Sequence, residues 1–387
     1  MGAMTRAQRT MGAVTEIVRS TTTADELLEG LAGELHRAIP HEAAGWFGLD
    51  PVTMLAAAPS RVENLDPDHC ALYWHLEFHE QDVGNFIDLA RGDGAEALRL
   101  SLDDRPARSI RYREFMVPSG FEDELRATFR TGDSAWGVVD LYRESATQPF
   151  TADDVALLKS VSEIIGTALR DHVRTVTPWL GRPSSPGLVV IDAEGRAVSS
   201  NLEAQAWLRD LWPCSATDCE AEPTSLDLLE LRDCSMAVPT PLYALAARAR
   251  AVAEGRERVP ARLRLRDQRG RWLVLHASAL APSSPAAPSG AGTVAIVIEA
   301  AKSAEVAPII IEAYSLTPRE RDVLAAIARG ESTAEIAAQL FLSPHTVRDY
   351  VKTVFEKVGV SSRNELVARL FGEHYADPLH ATMVHVD

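Results

Sequence analysis

The chain has 387 residues, 46% hydrophobic, 24% charged and 6% aromatic, a globular composition long enough for two or three cores and too apolar for long disorder. No apolar run approaches the roughly 20 residues that span a bilayer, and the opening MGAMTRAQRT lacks a secretory apolar core, so a cytoplasmic protein with no membrane partner is expected. The net charge of −16 argues against nucleic acid until its distribution is read: residues 314–372 hold 8 Lys/Arg and 7 Asp/Glu, a net of +1, which leaves −17 on the remainder.

In chain order, the first block begins with an amphipathic helical stretch at 11–39, in which Leu27, Leu28, Leu31, Leu35 and Ile39 recur at helical spacing. Strand-like runs at 44–49 and 53–58 follow, then helical pattern at 73–89, a turn at 118–120 and a strand at 135–143. A helix over 152–170 closes the block; Thr151 caps it, and Val155, Leu158, Val161, Ile165 and Leu169 form its apolar face. The order describes a sheet between N- and C-terminal helices, an α+β domain over 10–174. Three prolines within 175–187 mark a linker, placed at 175–186.

The second block, 187–300, opens with a hairpin, 188–192 and 196–201 about the turn Ala193-Glu194-Gly195. Helices at 202–211 and 242–254 come next, then strands at 261–266, 271–280 and 293–299, with turn residues at 267–270 and a low-complexity loop at 282–292. This is a second, smaller α+β domain. A linker is expected at 301–313 and a tail at 373–387.

Between them, 314–372 carries the sharpest pattern. Thr317, Pro318 and Glu320 make a capping box with proline at the first helical position, Val323, Leu324, Ile327 and Ala328 form the inward face, and Gly330 ends the helix. A second helix at 333–340 buries Ile336, Ala337 and Leu340. After a turn at 341–343, Ser343 caps a third helix whose Val347, Val351, Val354, Phe355 and Val358 face the core. His345, Arg348, Asp349 and Lys352 fall on the opposite side. A helix with such an outward face suits the major groove, where Arg and Lys donate to guanine and Asp accepts from cytosine, while Thr346 at its N-terminus suits a phosphate.

This segment resembles the LuxR/NarL helix-turn-helix family through Leu316-Thr317-x-Arg319-Glu320-x-x-Val323-Leu324, Glu335-Ile336-Ala337, Leu342-Ser343, Thr346-Val347-Arg348 and Lys357-Val358-Gly359-Val360 before Ser362-Arg363. The resemblance implies an all-α four-helix domain, double-stranded DNA as partner, and a DNA-binding set of His345, Thr346, Val347, Arg348, Asp349 and Lys352. It further implies a dimer contact through a fourth helix at 363–371 and makes RNA polymerase a candidate partner. Thr333-Ala334 replaces the family's Asn-Lys, which implies a lost phosphate-contacting cation, and Tyr350 stands where His is common.

The first block resembles a GAF-like domain of actinobacterial regulators in RSIRYREFMVPSGFEDELRATF, AWGVVDLYR and PFTADDVALLKSVSEIIGTALR. The second resembles a PAS domain in GLVVIDAEGRAVSSN, RWLVLHASAL and TVAIVIE. Both resemblances imply an apolar cavity and a small-molecule effector, whose binding residues the sequence does not name, acting through the geometry of a homodimer. Alternatives are N-terminal domains that bind a protein partner and no ligand, or a catalytic N-terminal domain such as a nucleotide hydrolase.

Other features point to structure. Cys70, Cys214, Cys219 and Cys234 lack zinc-finger or redox spacing. His69, Cys70, His75 and His79, with Tyr73, Trp74, Phe78 and Phe86 nearby, invite a metal or haem reading, but such helical His pairs are more often ordinary residues, and no metal or cofactor is expected. Trp46, Trp136 and Trp272 are expected in strands and in the core. No phosphate-binding GxxxxGK[ST], GxSxG or HExxH motif occurs, and the start lacks a phosphoacceptor pattern, so no enzyme is expected.

Overall fold

The computed structural model describes residues 5–174, 185–211, 239–267, 271–281, 292–301 and 303–367. The chain divides into two compact units, Met1–His172 with Pro183–Ala300, and Val173–Arg182 with Ala301–Asp387.

In the first unit, the stretch expected as one helix is two, α1 (Arg6–Ser20) and α2 (Ala24–Ala38). The break falls at three successive threonines, where β-branching disfavours helix and Thr23 forms a capping box with Glu26 that starts α2 afresh. Leu27, Leu28, Leu31 and Leu35 are buried as their spacing predicts. Next come β1 (Ala43–Asp50), β2 (Leu55–Glu63), α3 (Cys70–His79), α4 (Phe86–Arg91), β3 (Ala95–Ala97), α5 (Leu98–Ser101), β4 (Phe121–Thr131), β5 (Ser134–Glu144) and α6 (Ala152–Arg174). The helical pattern at 73–89 thus also divides, at Gly84 in the left-handed region (φ +73°). The strands form an antiparallel sheet in the order β2-β1-β5-β4-β3. Gly166 lets α6 lie on this sheet, because a Cβ there would stand 2.7 Å from the Arg130 backbone.

The second sheet holds β6 (Gly187–Ile191) and β7 (Ala197–Ser200), followed by α7 (Leu202–Leu211) and α8 (Thr240–Ala253), then β8 (Arg262–Arg266), β9 (Trp272–Ala279) and β10 (Val294–Ala300). Its order, β7-β6-β10-β9-β8, repeats that of the first sheet when strands are numbered within each. Helix α8 is buried from Thr240 to Ala249, Arg248 included, because it packs on β9 and β10 with one face and on α3 and β2 with the other. The two sheets therefore share one core. Asp50 at the end of β1 ties them further, accepting from the Arg264 amide at 3.2 Å and its Nη1 at 3.0 Å, both side chains buried.

The second unit is helical. The expected linker at 301–313 carries a helix, α9 (Ser303–Ala313), whose Val306, Ile309 and Ala313 are buried despite Pro308 inside it. Helices α10 (Pro318–Ala328), α11 (Thr333–Leu340), α12 (Pro344–Val358) and α13 (Arg363–Val367) follow. The capping box of Thr317 and Glu320 forms as read from the sequence, and Ser332 with Glu335 makes a second one at α11. Cys214, Cys219, Cys234, most of the 175–186 linker, the turn residues 268–270, the loop 282–291, the end of the helix expected at 363–371 and the tail lie outside the described residues.

Candidate nucleic-acid interface and candidate ligand cavity

Helix α12 starts where the Ser343 hydroxyl accepts from the Thr346 amide at 3.1 Å, and it ends at Gly359 in the left-handed conformation (φ +73°). Val347, Val354 and Val358 are buried and pin the helix against α10 and α11; Val351 and Phe355 are half-buried. Val347 is the one member of the expected DNA-binding set that the structure removes: fully buried, it holds the helix from inside and presents nothing to a groove. His345, Arg348, Asp349 and Lys352 are exposed, and Thr346 is half-buried at the helix start.

That exposed row is already internally bonded. His345 Nδ1 lies 3.0 Å from Asp349 Oδ2, Lys352 pairs with Glu356 at 3.8 Å, and Arg348 Nε donates to the Pro344 carbonyl at 3.1 Å. These solvent-exposed pairs are worth well under about 1 kcal/mol each and exchange readily for other partners. Preceding the helix, Phe341 adopts the left-handed conformation (φ +56°) and is 95% exposed, so α11 turns into α12 within three residues.

The frame behind α12 rests on one half-buried ion pair, Lys357 Nζ to Glu320 Oε2 at 2.6 Å. Burial alone would raise the Glu320 carboxyl. The Lys357 ammonium, the Thr317 amide and the Thr317 hydroxyl outweigh it and hold the carboxyl below its ordinary value. The depressed folded value contributes stability above the unfolded carboxyl's pKa that disappears as pH falls through the folded one. Lys357→Met should therefore destabilise the second unit by about 1 kcal/mol at pH 7. In thermal unfolding followed by circular dichroism, the gap to the parent should close below about pH 4. A gap that persisted at low pH would assign the loss to packing.

The first unit holds a cavity between β1, β5 and α3. Phe47, Tyr73, Trp74, Phe115 and Tyr142 line it, and Thr240 at the first position of α8 adds to its wall. As it stands it admits about one water molecule. Under this wall lies a cluster of buried charges. Arg126 Nε donates to Asp140 Oδ2 at 2.9 Å and its Nη1 to Glu77 Oε2 at 2.8 Å, with its guanidinium stacked 3.9 Å from the Phe86 ring centre. Arg111 Nε bonds both oxygens of Glu124 at 2.9 Å, and its Nη2 donates to the Val83 carbonyl. Burial, then repulsion by Glu124, pushes the Asp140 carboxyl up to about 7.

The residues grouped for a metal or haem are separated. His69 and Cys70 stand on the cavity wall, the former within 3.1 Å of the Ser119 hydroxyl, and burial pushes the Cys70 thiol up to about 12. His75 and His79 stack on each other at 4.2 Å away from that wall, with His79 Nε2 3.7 Å from Glu254. Among the described residues no three His, Cys, Asp or Glu side chains are placed to hold a metal ion. Trp46 and Trp136 are buried in β1 and β5, whereas Trp272 is half-buried at the edge of β9 beside Arg266. Asp140 and Arg126 were missed as site residues; a lone Asp inside the apolar run AWGVVDLYR is the signal that could have found the first.

Two segments of the chain match known families. Residues 314–370 match the bacterial regulatory proteins of the luxR family. Residues 41–169 match the GAF domain. The helix-turn-helix and the first sheet with its cavity thus carry these two family folds. Among relatives, the probable transcriptional regulatory protein NarL of Mycobacterium tuberculosis is 41% identical over 76 residues, 20% of this chain and 32% of that protein. The transcriptional regulatory protein DesR of Bacillus subtilis is 43% identical over 58 residues, 15% of this chain and 29% of that protein. The chain thus spans about a third of the length of these regulators. A solved GAF domain from an Acinetobacter phosphoenolpyruvate-protein phosphotransferase aligns with 44% of this chain and 96% of its own, at 10% identity and a TM-score of 0.32. No described helix is long and apolar enough to cross a membrane.

Proposed function

We propose that the chain is a sequence-specific transcriptional regulator that acts as a homodimer, with α12 reading the major groove and the GAF domain sensing a small molecule. The observation that carries the first part is the outward row of α12. His345, Arg348, Asp349 and Lys352 project from a helix fixed by a buried valine stripe, and exposed polar side chains on a rigid helix can donate to and accept from base edges. Thr346 takes the phosphate position at the helix start.

The second sheet is read as a PAS-like domain, supported by its strand order and by two helices inserted between its second and third strands. Because Thr240 of its helix α8 reaches the cavity wall, a ligand that enlarged the cavity would press on both sheets at once. Such a ligand acts by binding one dimer arrangement better than the other and so shifting the distance between two recognition helices.

Native mass spectrometry of chain purified without denaturation tests this part. A dimer with a discrete added mass is the expected result. A bare dimer would favour control by a protein partner, a reading to which the small volume of the cavity lends some weight, and a monomer at micromolar concentration would contradict the dimer.

A further inference from the structure

The cavity and the charges beneath it share one residue, Asp140. Asp140 Oδ2 accepts three hydrogen bonds, from Tyr142 at 2.7 Å and from Tyr73 and Arg126 at 2.9 Å, whereas Oδ1 accepts none from any described residue. The side chain is fully buried, and Asp140 contributes to the cavity wall. An orphaned buried carboxylate oxygen costs roughly 1–3 kcal/mol, more when charged, so a partner for it is worth that much.

The charge balance points the same way. Glu77, Glu124 and Asp140 pair with Arg111 and Arg126, all buried, so these five paired groups carry one surplus negative charge when every member is ionised. Nearby Arg248 does not neutralise it, since Glu257 pairs with that guanidinium at 3.4 Å. Burial, and after it the repulsion by Glu124 that belongs to this surplus, raises the Asp140 carboxyl to about 7.

The rest of the cavity wall is largely aromatic. The rings of Phe47 and Trp74 meet edge-on at 5.4 Å, Tyr73 and Phe115 at 5.5 Å, and Phe115 stands 5.9 Å from Tyr142. Ring faces carry partial negative charge, and a group of them around a carboxylate is the arrangement that holds organic ammonium ions.

We propose that the GAF cavity binds a small organic cation, with an ammonium N–H donating to Asp140 Oδ1 and its alkyl groups held by Phe47, Tyr73, Trp74, Phe115 and Tyr142. This rests on the sensing reading above and names its ligand class. The cation supplies both the missing hydrogen bond and the missing positive charge, which a neutral ligand of equal shape cannot do. Binding requires the wall to open from its present volume, and α8 at Thr240 is the element it would displace.

Trimethylammonium and tert-butanol are matched probes, alike in size with one hydrogen-bond donor each and different in charge; benzylammonium and benzyl alcohol repeat the comparison at larger size. Titrated into the full chain and followed by tryptophan fluorescence and the thermal midpoint, each ammonium should bind about tenfold tighter than its alcohol. Asp140→Asn should abolish that preference, and Phe115→Leu, which leaves the charge cluster intact, should weaken the ammonium several-fold and the alcohol less. Equal affinity for ammonium and alcohol would overturn the cation and leave small-molecule sensing standing. Failure of all four probes at tens of millimolar would overturn the cation as well, with sensing then judged by the native mass alone.

Discussion

Arg126→Met should cost the first unit about 3–5 kcal/mol, the range for removing one partner of a buried ion pair. The arginine is the hub on which Glu77, Glu124 and Asp140 converge, and each of these carboxylates is buried. Methionine fills the space beside Phe86 but neutralises nothing, so three buried carboxylates would share the single charge of Arg111. Urea unfolding followed by tryptophan fluorescence reads this directly, because Trp46, Trp74 and Trp136 are all buried in the first unit. Arg37→Ala, which breaks a surface pair with Glu34, should change the midpoint by under about 1 kcal/mol and serves as the contrast. Similar losses in the two variants would mean that the buried cluster does not hold the domain together.

The second large effect concerns DNA. Arg348→Ala and Lys352→Ala should each weaken binding by about 1–3 kcal/mol, and the double variant should lose base preference. Both side chains are exposed, so the thermal midpoint should stay within about a degree of the parent. Val347→Ala makes the opposite prediction: a lower midpoint from the buried cavity it leaves, and a base preference that persists wherever the helix remains folded. The acidic neighbours on the same row, Asp349 and Glu356, keep the net attraction to phosphate small, so affinity should be modest and its fall with added salt shallow.

How far the sequence discloses this structure depends on what each element buries. Where apolar residues alone face the core, the reading is close: the leucines of α2, the valines of α12 and the limits of α7 and α11 follow from spacing and caps. It fails where charge goes inside. Strand β4, FEDELRATFRT, does not read as an element, because charges interrupt its apolar pattern; its Glu124 and Arg126 are buried nonetheless, the first bonded to Arg111 and the second to Asp140 and Glu77. Pairing of that kind joins residues from α3, β4 and β5, and no local window contains it. Breaks inside helical pattern were hidden for a related reason. The apolar period continues through Thr21–Thr23 and Gly84, and only the caps reveal that the chain restarts. Helix α9 reads as a linker because Pro308 and the absence of an N-cap signal outweigh its apolar face. The outward row of α12, by contrast, needs only one helix and its period, and His345, Arg348, Asp349 and Lys352 are exposed as that period places them; Val347 stood in the expected set against the period that places it inside.

The central claim is that α12 reads a defined DNA sequence. In vitro selection from a randomised duplex pool, with the full chain at fixed salt, tests it most directly. One enriched motif with two half-sites about one helical turn apart is expected, and its loss when Arg348 and Lys352 are both alanine. A pool that emerged without enrichment, or a motif that both alanines left unchanged, would contradict it.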